Sequence, residues 1–418
     1  MSAALPSDAQ AQFRWYLSGA GAWFIAFGVQ QVMFSYLVTT VLHAAPNMIG
    51  IAQASLTIVS TLLLLVGGAV ADQVDTRRLL ILSHLVAIIP PTVLAAVVGF
   101  GWLRYEWLIA YGLTMGLISA FILPAREAMM ADVIGPAGRS FLQRAVTTTV
   151  AVTFIAQISG MFLARFAATL GAAPIMLIQA SIQLFGAFTA ARLTPSTRHT
   201  DHGQENGGSQ FARIVDGLRE VANSYALLPI NLVTAAIGIL FIGPFLVTLP
   251  VILREEYSGD VEQFSSMQMA FWSGSIISSM IISRIGNIVN RGRLIVLALL
   301  LGTAIQFMLS VSAPLDVFYA LVFVWGLGAG VTISMSRTIV QEHAPPAHRA
   351  RVLSIFQLGF TGGMSIGALA IGVIVQAIGA RHAMLVPALT MAIVLTALLL
   401  TTKIWSITAL KHDASPAA

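Results

Sequence analysis

The sequence contains no cysteine, and only 9% of its 418 residues are charged. The missing cysteine excludes disulfides, thiolate metal sites and cysteine nucleophiles. Soluble domains carry about 25% charged residues, so this chain has too few to coat a water-facing surface of its size. No Gly-rich phosphate loop runs into Lys and Ser or Thr, which leaves ATP drive unencoded here. The eight histidines are scattered and lack metal-ligand spacing. No metal, cofactor or catalytic residue is therefore expected, and nothing points to an enzyme. Residues 1–13 are polar, include Asp8, and lack the cationic start of a cleaved signal. The first apolar run is expected to act as an uncleaved insertion signal.

What the chain does have is apolar length: 57% of its residues are hydrophobic. Long apolar runs alternate with short basic clusters, and each run approaches the ~20 residues that cross a bilayer. Twelve spans are expected, near 15–42, 47–71, 79–101, 107–126, 141–166, 172–192, 227–253, 264–285, 293–312, 316–341, 352–377 and 383–404. With the N-terminus inside, 18 of the 22 Lys and Arg fall on the cytoplasmic side. Only Arg104, Arg165, Arg254 and Arg381 fall on the other. The positive-inside rule then puts both termini in the cytoplasm. The net charge of +5 reads as a topology signal, and no nucleic-acid partner is expected.

A polar stretch divides the chain into an N-terminal six-helix bundle (1–194), a cytoplasmic linker (195–226) and a C-terminal six-helix bundle (227–418). The linker opens PSTRHTDHGQENGGSQ, which cannot bury enough apolar surface to fold alone. Beyond it Phe211, Ile214, Val215, Leu218, Val221, Ala222 and Tyr225 recur at helical spacing, which predicts an amphipathic helix on the membrane surface. The halves echo each other. Arg78 aligns with Arg293 at an offset of 215, and Asp72 and Asp75 then meet Asn287 and Asn290. Arg126 aligns with Arg337 at an offset of 211. Two matches at similar offsets predict an internal duplication, as in transporters built from parallel repeats.

Gly68-Ala-Val-Ala-Asp72-Gln-Val-Asp-Thr-Arg77-Arg78 resembles the signature loop between the second and third helices of the major facilitator superfamily. Pro124-Ala-Arg126-Glu-Ala followed by Val133-Ile-Gly is similar to a stretch of its enterobactin-exporter-like branch, the transmembrane secretion effectors. So is Gln341-Glu-His-Ala-Pro-Pro-Ala-His-Arg349-Ala-Arg351-Val352, followed by Gly359 and Ser365-Ile-Gly367. The resemblance implies an all-α integral membrane protein with twelve transmembrane helices in two pseudo-symmetric six-helix bundles, the major facilitator fold. It implies a secondary transporter in a bacterial-type inner membrane, exporting small amphipathic molecules such as drugs or siderophores, with protons as a coupling partner and a monomeric state. A lysophospholipid flippase or a non-transporting membrane sensor is the alternative. The chain departs from the family where the first helix often has an acid: Gly28-Val-Gln30-Gln31 stands there instead. Its fifth helix reads Gln157-Ile-Ser159-Gly160-Met161, without the proline of many antiporters.

The resemblance implies a cytoplasmic gate latch of Asp72, Arg77 and Arg78; the plain alternative is a helix cap with ordinary charge topology. No acid falls in the middle third of an expected span. Glu127, beside Arg126, is the proton-coupling candidate, or else an interfacial member of a gate salt bridge. Candidates for the substrate path are Gln30, Gln31, Arg126, Gln157, Phe241, Trp272 and Arg337. For the glutamines the competing role is hydrogen bonding between helices, and for the aromatics it is packing. For Arg126 and Arg337 it is snorkelling to headgroups.

Overall fold

The computed structural model describes residues 7–134, 139–195, 218–286, 288–345 and 349–408. Among these residues the regular structure is helical, with no strand. The first half comprises α1 (Ser7–Tyr36), continued by a π turn at Leu37–Val41, α2 (Pro46–Gln73), α3 (Thr76–Val86), α4 (Ile89–Gly99), α5 (Tyr105–Ile134), α6 (Arg139–Ala164), the short α7 (Ala167–Leu170) and α8 (Ala172–Ala191). The second half comprises α9 (Leu227–Ile237), a π turn at Gly238–Ile242, α10 (Gly243–Glu256), α11 (Val261–Ile285), α12 (Arg291–Leu309), α13 (Leu315–His343), α14 (Arg349–Ile378), the short α15 (Ala380–Ala383) and α16 (Leu385–Thr401).

Eleven of the described helical runs are long and apolar enough to cross a membrane. The twelfth expected span is α11. Its 25 residues reach about 37 Å, enough for a hydrocarbon core of about 30 Å. Seven serines with Gln263, Gln268 and Arg284 make it less apolar than its neighbours. The third span, expected as one helix, breaks between α3 and α4. The prolines cause this: Pro90 sits in the first turn of α4, where a missing N–H costs nothing, and Pro91 follows it. Of the expected amphipathic helix, the part from Phe211 to 217 lies outside the described residues. Residues 218–223 are helical, with Val221 buried and Leu218 exposed.

The chain forms two compact units, residues 1–205 with 249–269, and residues 206–248 with 270–418. The segment Leu249–Met269 is built into the first unit by specific bonds. Arg254 donates to the carbonyls of Thr39 (3.2 Å) and Ala44 (2.9 Å). Thr40 donates to the Gly259 carbonyl (2.9 Å), Arg165 pairs with Glu262 (3.0 Å), and Ser265 donates to the Met161 carbonyl (2.7 Å).

Within each unit, small residues let helices touch backbone to backbone, the usual basis of association when lipid removes the hydrophobic drive. In the first unit α1 meets α6: a Cβ added at Gly160 would lie 2.0 Å from the Ile25 carbonyl oxygen. In the second unit α11 meets α13: a Cβ at Gly326 would lie 2.1 Å from the Phe271 carbonyl oxygen. Any larger residue at these two positions must push the helices apart.

Candidate functional site in the first unit

Gln157 of α6 lies at the close α1–α6 contact, where a Cβ at Gly28 would meet its carbonyl; Gln30 lies on α1, about 200° round the helix from Gly28. Gln30 and Gln157 are 5% and 4% exposed. The Oε1 of Gln30 and the Nε2 of Gln157 are buried with no hydrogen-bond partner. An unmet buried polar atom costs about 1–3 kcal/mol, and lipid offers no group that could satisfy it. The open acceptor on α1 and the open donor on α6 are each able to take a neutral polar group. Ser35 and Thr39 on the outer part of the first span, and Thr149 on α6, hold further buried hydroxyls without partners. Gln31 is half-buried.

Arg126 lies two residues after Pro124 in α5 and is buried. Its guanidinium stands 4.7 Å over the Phe24 ring and donates to the Tyr16 hydroxyl oxygen. Its Nε has no partner. A cavity of about 10 Å³ beside it, lined by Tyr16, Leu80, His84 and Ala190 among others, approaches the room one water needs. Glu127, the next residue, is exposed. Neighbouring positions on a helix point about 100° apart, so the two charges do not share a face. Arg337, the counterpart of Arg126 in the duplication, is exposed on α13.

Four residues of the same bundle carry polar chemistry that sequence reasoning missed. His84 on α3 is 2% exposed, and its Nδ1 lies 2.8 Å from Gln183 Oε1 on α8. Its ring packs edge-on to Trp23 and lies against Gly186, where a Cβ would come within 2.4 Å of the imidazole. One turn away, Gln179 Nε2 donates to the Tyr111 hydroxyl at 2.9 Å, and Tyr111 stacks on Phe34. The signal available was a pair of glutamines four apart inside an apolar span. Intramembrane polar residues of this kind are functional candidates.

The loop predicted as a gate latch is held mainly by Asp75. Its carboxylate accepts from the Arg77 N–H at 3.0 Å, capping α3, and lies 3.6 Å from Arg78. The Arg77 side chain donates to the Ala191 carbonyl at the end of α8 (2.6 Å). Asp72 closes α2, and its side chain lies outside the described residues. In the second unit, Asn290 at the start of α12 makes no side-chain cap. There Arg291, 7% exposed, pairs instead with Glu342 of α13 and donates to the Ile288 carbonyl (3.2 Å).

Phe241 belongs to a packed aromatic core with Phe245, Phe271 and Trp325. The gap left among them is about 10 Å³, too small for a solute. Trp272 is half-buried, edge-on to Phe271 at 5.7 Å. The π turn at Gly238–Ile242 disrupts regular helix bonding, and Gln306 Nε2 donates to its Leu240 carbonyl at 2.7 Å. Among the described residues no Asp or Glu is buried, and no cluster of metal-ligating side chains exists.

The fold is shared with transporters of known structure. The nucleoside transporter NupG is 16% identical, covers 93% of this chain and 98% of its own, and superposes with a TM-score of 0.69. A bacterial homologue of the human lysosomal transporter Spinster, in an inward-facing and unoccupied conformation, is 13% identical with a TM-score of 0.70, covering 99% of this chain and 100% of its own. A POT family transporter in complex with a thioalcohol-conjugated peptide is 11% identical with a TM-score of 0.73, covering 94% and 96%. At these identities the likeness establishes the fold alone. No curated protein matches the sequence. The family model for transmembrane secretion effectors matches residues 9–416. The chain therefore belongs to the transmembrane secretion effector family of the major facilitator superfamily and is a multi-pass membrane transporter.

Proposed function

We propose that this transporter is a secondary active exporter of small amphipathic molecules, working by alternating access with both termini in the cytoplasm. The observation that carries the reading is the open acceptor of Gln30 on α1 and the open donor of Gln157 on α6, both buried in a bundle with no buried acid among the described residues. Such a surface offers hydrogen bonds without a fixed charge, which favours a neutral or weakly polar headgroup on an apolar body. The basic flank of the chain supports the orientation.

A thermal-shift screen of the purified protein against drugs, siderophores and lysolipids tests it, because a ligand at 100 times its Kd stabilises the folded state by about 2.7 kcal/mol. A hit whose shift disappears in Gln30→Ala and Gln157→Ala is expected. A hit that persists unchanged in both variants removes these residues from the site, and a shift with lysolipids alone would favour lipid flipping. Coupling to protons through Glu127 belongs to the same reading, with Glu127 exposed beside the buried Arg126. Glu127→Gln should then abolish uphill transport while sparing exchange; undiminished uphill transport would dismiss that role.

A further inference from the structure

A groove of about 650 Å³ runs between α1, α6 and α8 within the first unit, open along one side. Its floor and walls are made by Leu17, Gly21 and Ile25 of α1, Ile155 of α6, and Ile182 and Phe185 of α8. Ile155 is 68% exposed and Phe185 50%. Three serines also line it, and each hydroxyl is already satisfied by its own helix: Ser18 by the Arg14 carbonyl (2.9 Å), Ser159 by Ile155 (2.8 Å), Ser181 by Leu177 (2.9 Å). The groove's serines thus present no unmet polar atom, unlike the buried Gln30 and Gln157. The groove suits a hydrocarbon chain and offers nothing to a polar solute.

Two arginines lie beyond the same end of it, one turn from Leu17 on α1 and two turns from Phe185 on α8. On α1, Arg14 shares a face with Leu17, Ser18, Gly21 and Ile25, at spacings of three, four, seven and eleven residues. On α8, Arg192 caps the helix at seven residues from Phe185 and eleven from Ser181, again on one face. The Arg192 guanidinium is steadied over the Phe188 ring (4.9 Å) and the Trp15 ring (5.8 Å). Gln12 ties the two helix ends together, donating to the Arg192 carbonyl (3.4 Å) and accepting from the Thr194 N–H (2.8 Å). Both arginines are exposed, and among the described residues no carboxylate pairs with either. Along α1 the groove extends from Leu17 to Ile25, about 12 Å, close to the ~15 Å depth of one leaflet's hydrocarbon.

We propose that this groove is a specific site for an anionic phospholipid, with one acyl chain lying between α1, α6 and α8 and the phosphate held by Arg14 and Arg192. The site is separate from the proposed substrate groups and does not depend on what is transported. Arginine forks match phosphate geometry, and aromatic stacking fixes one of them before binding.

Native mass spectrometry of the whole purified protein in mixed micelles with phosphatidylglycerol or phosphatidylcholine tests the site. The wild type should retain one phosphatidylglycerol at least tenfold more readily than phosphatidylcholine. Gly21→Leu fills the groove without displacing backbone, since a Cβ there meets only Val152 Cγ1 at 3.8 Å; it should lower retention at least tenfold. The double substitution Arg14→Ala with Arg192→Ala alters only exposed side chains and should erase the preference for phosphatidylglycerol. Equal retention of both lipids by the wild type, or unchanged phosphatidylglycerol retention in Gly21→Leu or in the arginine variant, would overturn the proposal.

Discussion

At the start of α3 the chain anchors itself with an acid next door; at the start of α12 it reaches across to another helix. The two places align in sequence at an offset of 215, yet Asp75 caps its own helix and touches Arg78 three residues on, while Asn290 caps nothing and Arg291 is held by Glu342, 51 residues away. Asn287 and Asn290 stand where the first half has Asp72 and Asp75. The second half has kept an ion pair and moved it inward. The arginine of that pair is 9% exposed at its side chain, against 88% for Arg78. Burial decides the consequence: an exposed pair is worth under about 1 kcal/mol, whereas stranding a buried charge costs about 3–5 kcal/mol.

Breaking the second pair should therefore have the largest effect. Glu342→Ala leaves the Arg291 guanidinium buried without its partner. Because Glu342 is itself 31% exposed, the loss is expected at the low end, about 3 kcal/mol, read as a lower melting temperature in detergent. Replacing both partners together, Arg291→Met with Glu342→Leu, should recover most of it. Asp75→Ala removes a helix cap and should cost about 1 kcal/mol. Arg78→Ala should change stability by less than about 0.5 kcal/mol, because its side chain stands in solvent. If Arg78→Ala proves as damaging as Glu342→Ala, the two loops do not differ in the way their burial indicates.

The glutamines and arginines teach the same lesson about what a sequence can carry. Periodicity and charge placement made the helical spans legible, down to the limits of α11, because apolar length is a property of consecutive residues. The break before Pro90 was legible in principle, since the proline pair is local. Partners were not. His84 meets Gln183 across 99 residues and Gln179 meets Tyr111 across 68, and a hydrophobic pattern gives no register between distant helices. Arg126 and Arg337 aligned in sequence but differ in environment, one under the Phe24 ring and one exposed. Phe241 was readable as apolar, but whether it lined a cavity or filled one depended on Phe245, Phe271 and Trp325. The Gln30 and Gln157 positions were visible as polar residues in apolar spans. That each keeps one unpaired buried atom became visible only once the helices were packed.

The open acceptor of Gln30 and the open donor of Gln157 bear the weight of the transport reading, and proteoliposomes test them most directly. Vesicles preloaded with an amphipathic dye identified by the thermal screen would be followed for dye release by the wild type and by the Gln30→Ala, Gln157→Ala double variant, with folding of both checked by melting. The account predicts rapid release by the wild type and at least a tenfold slower rate in the variant. Equal rates from two equally folded proteins would contradict it.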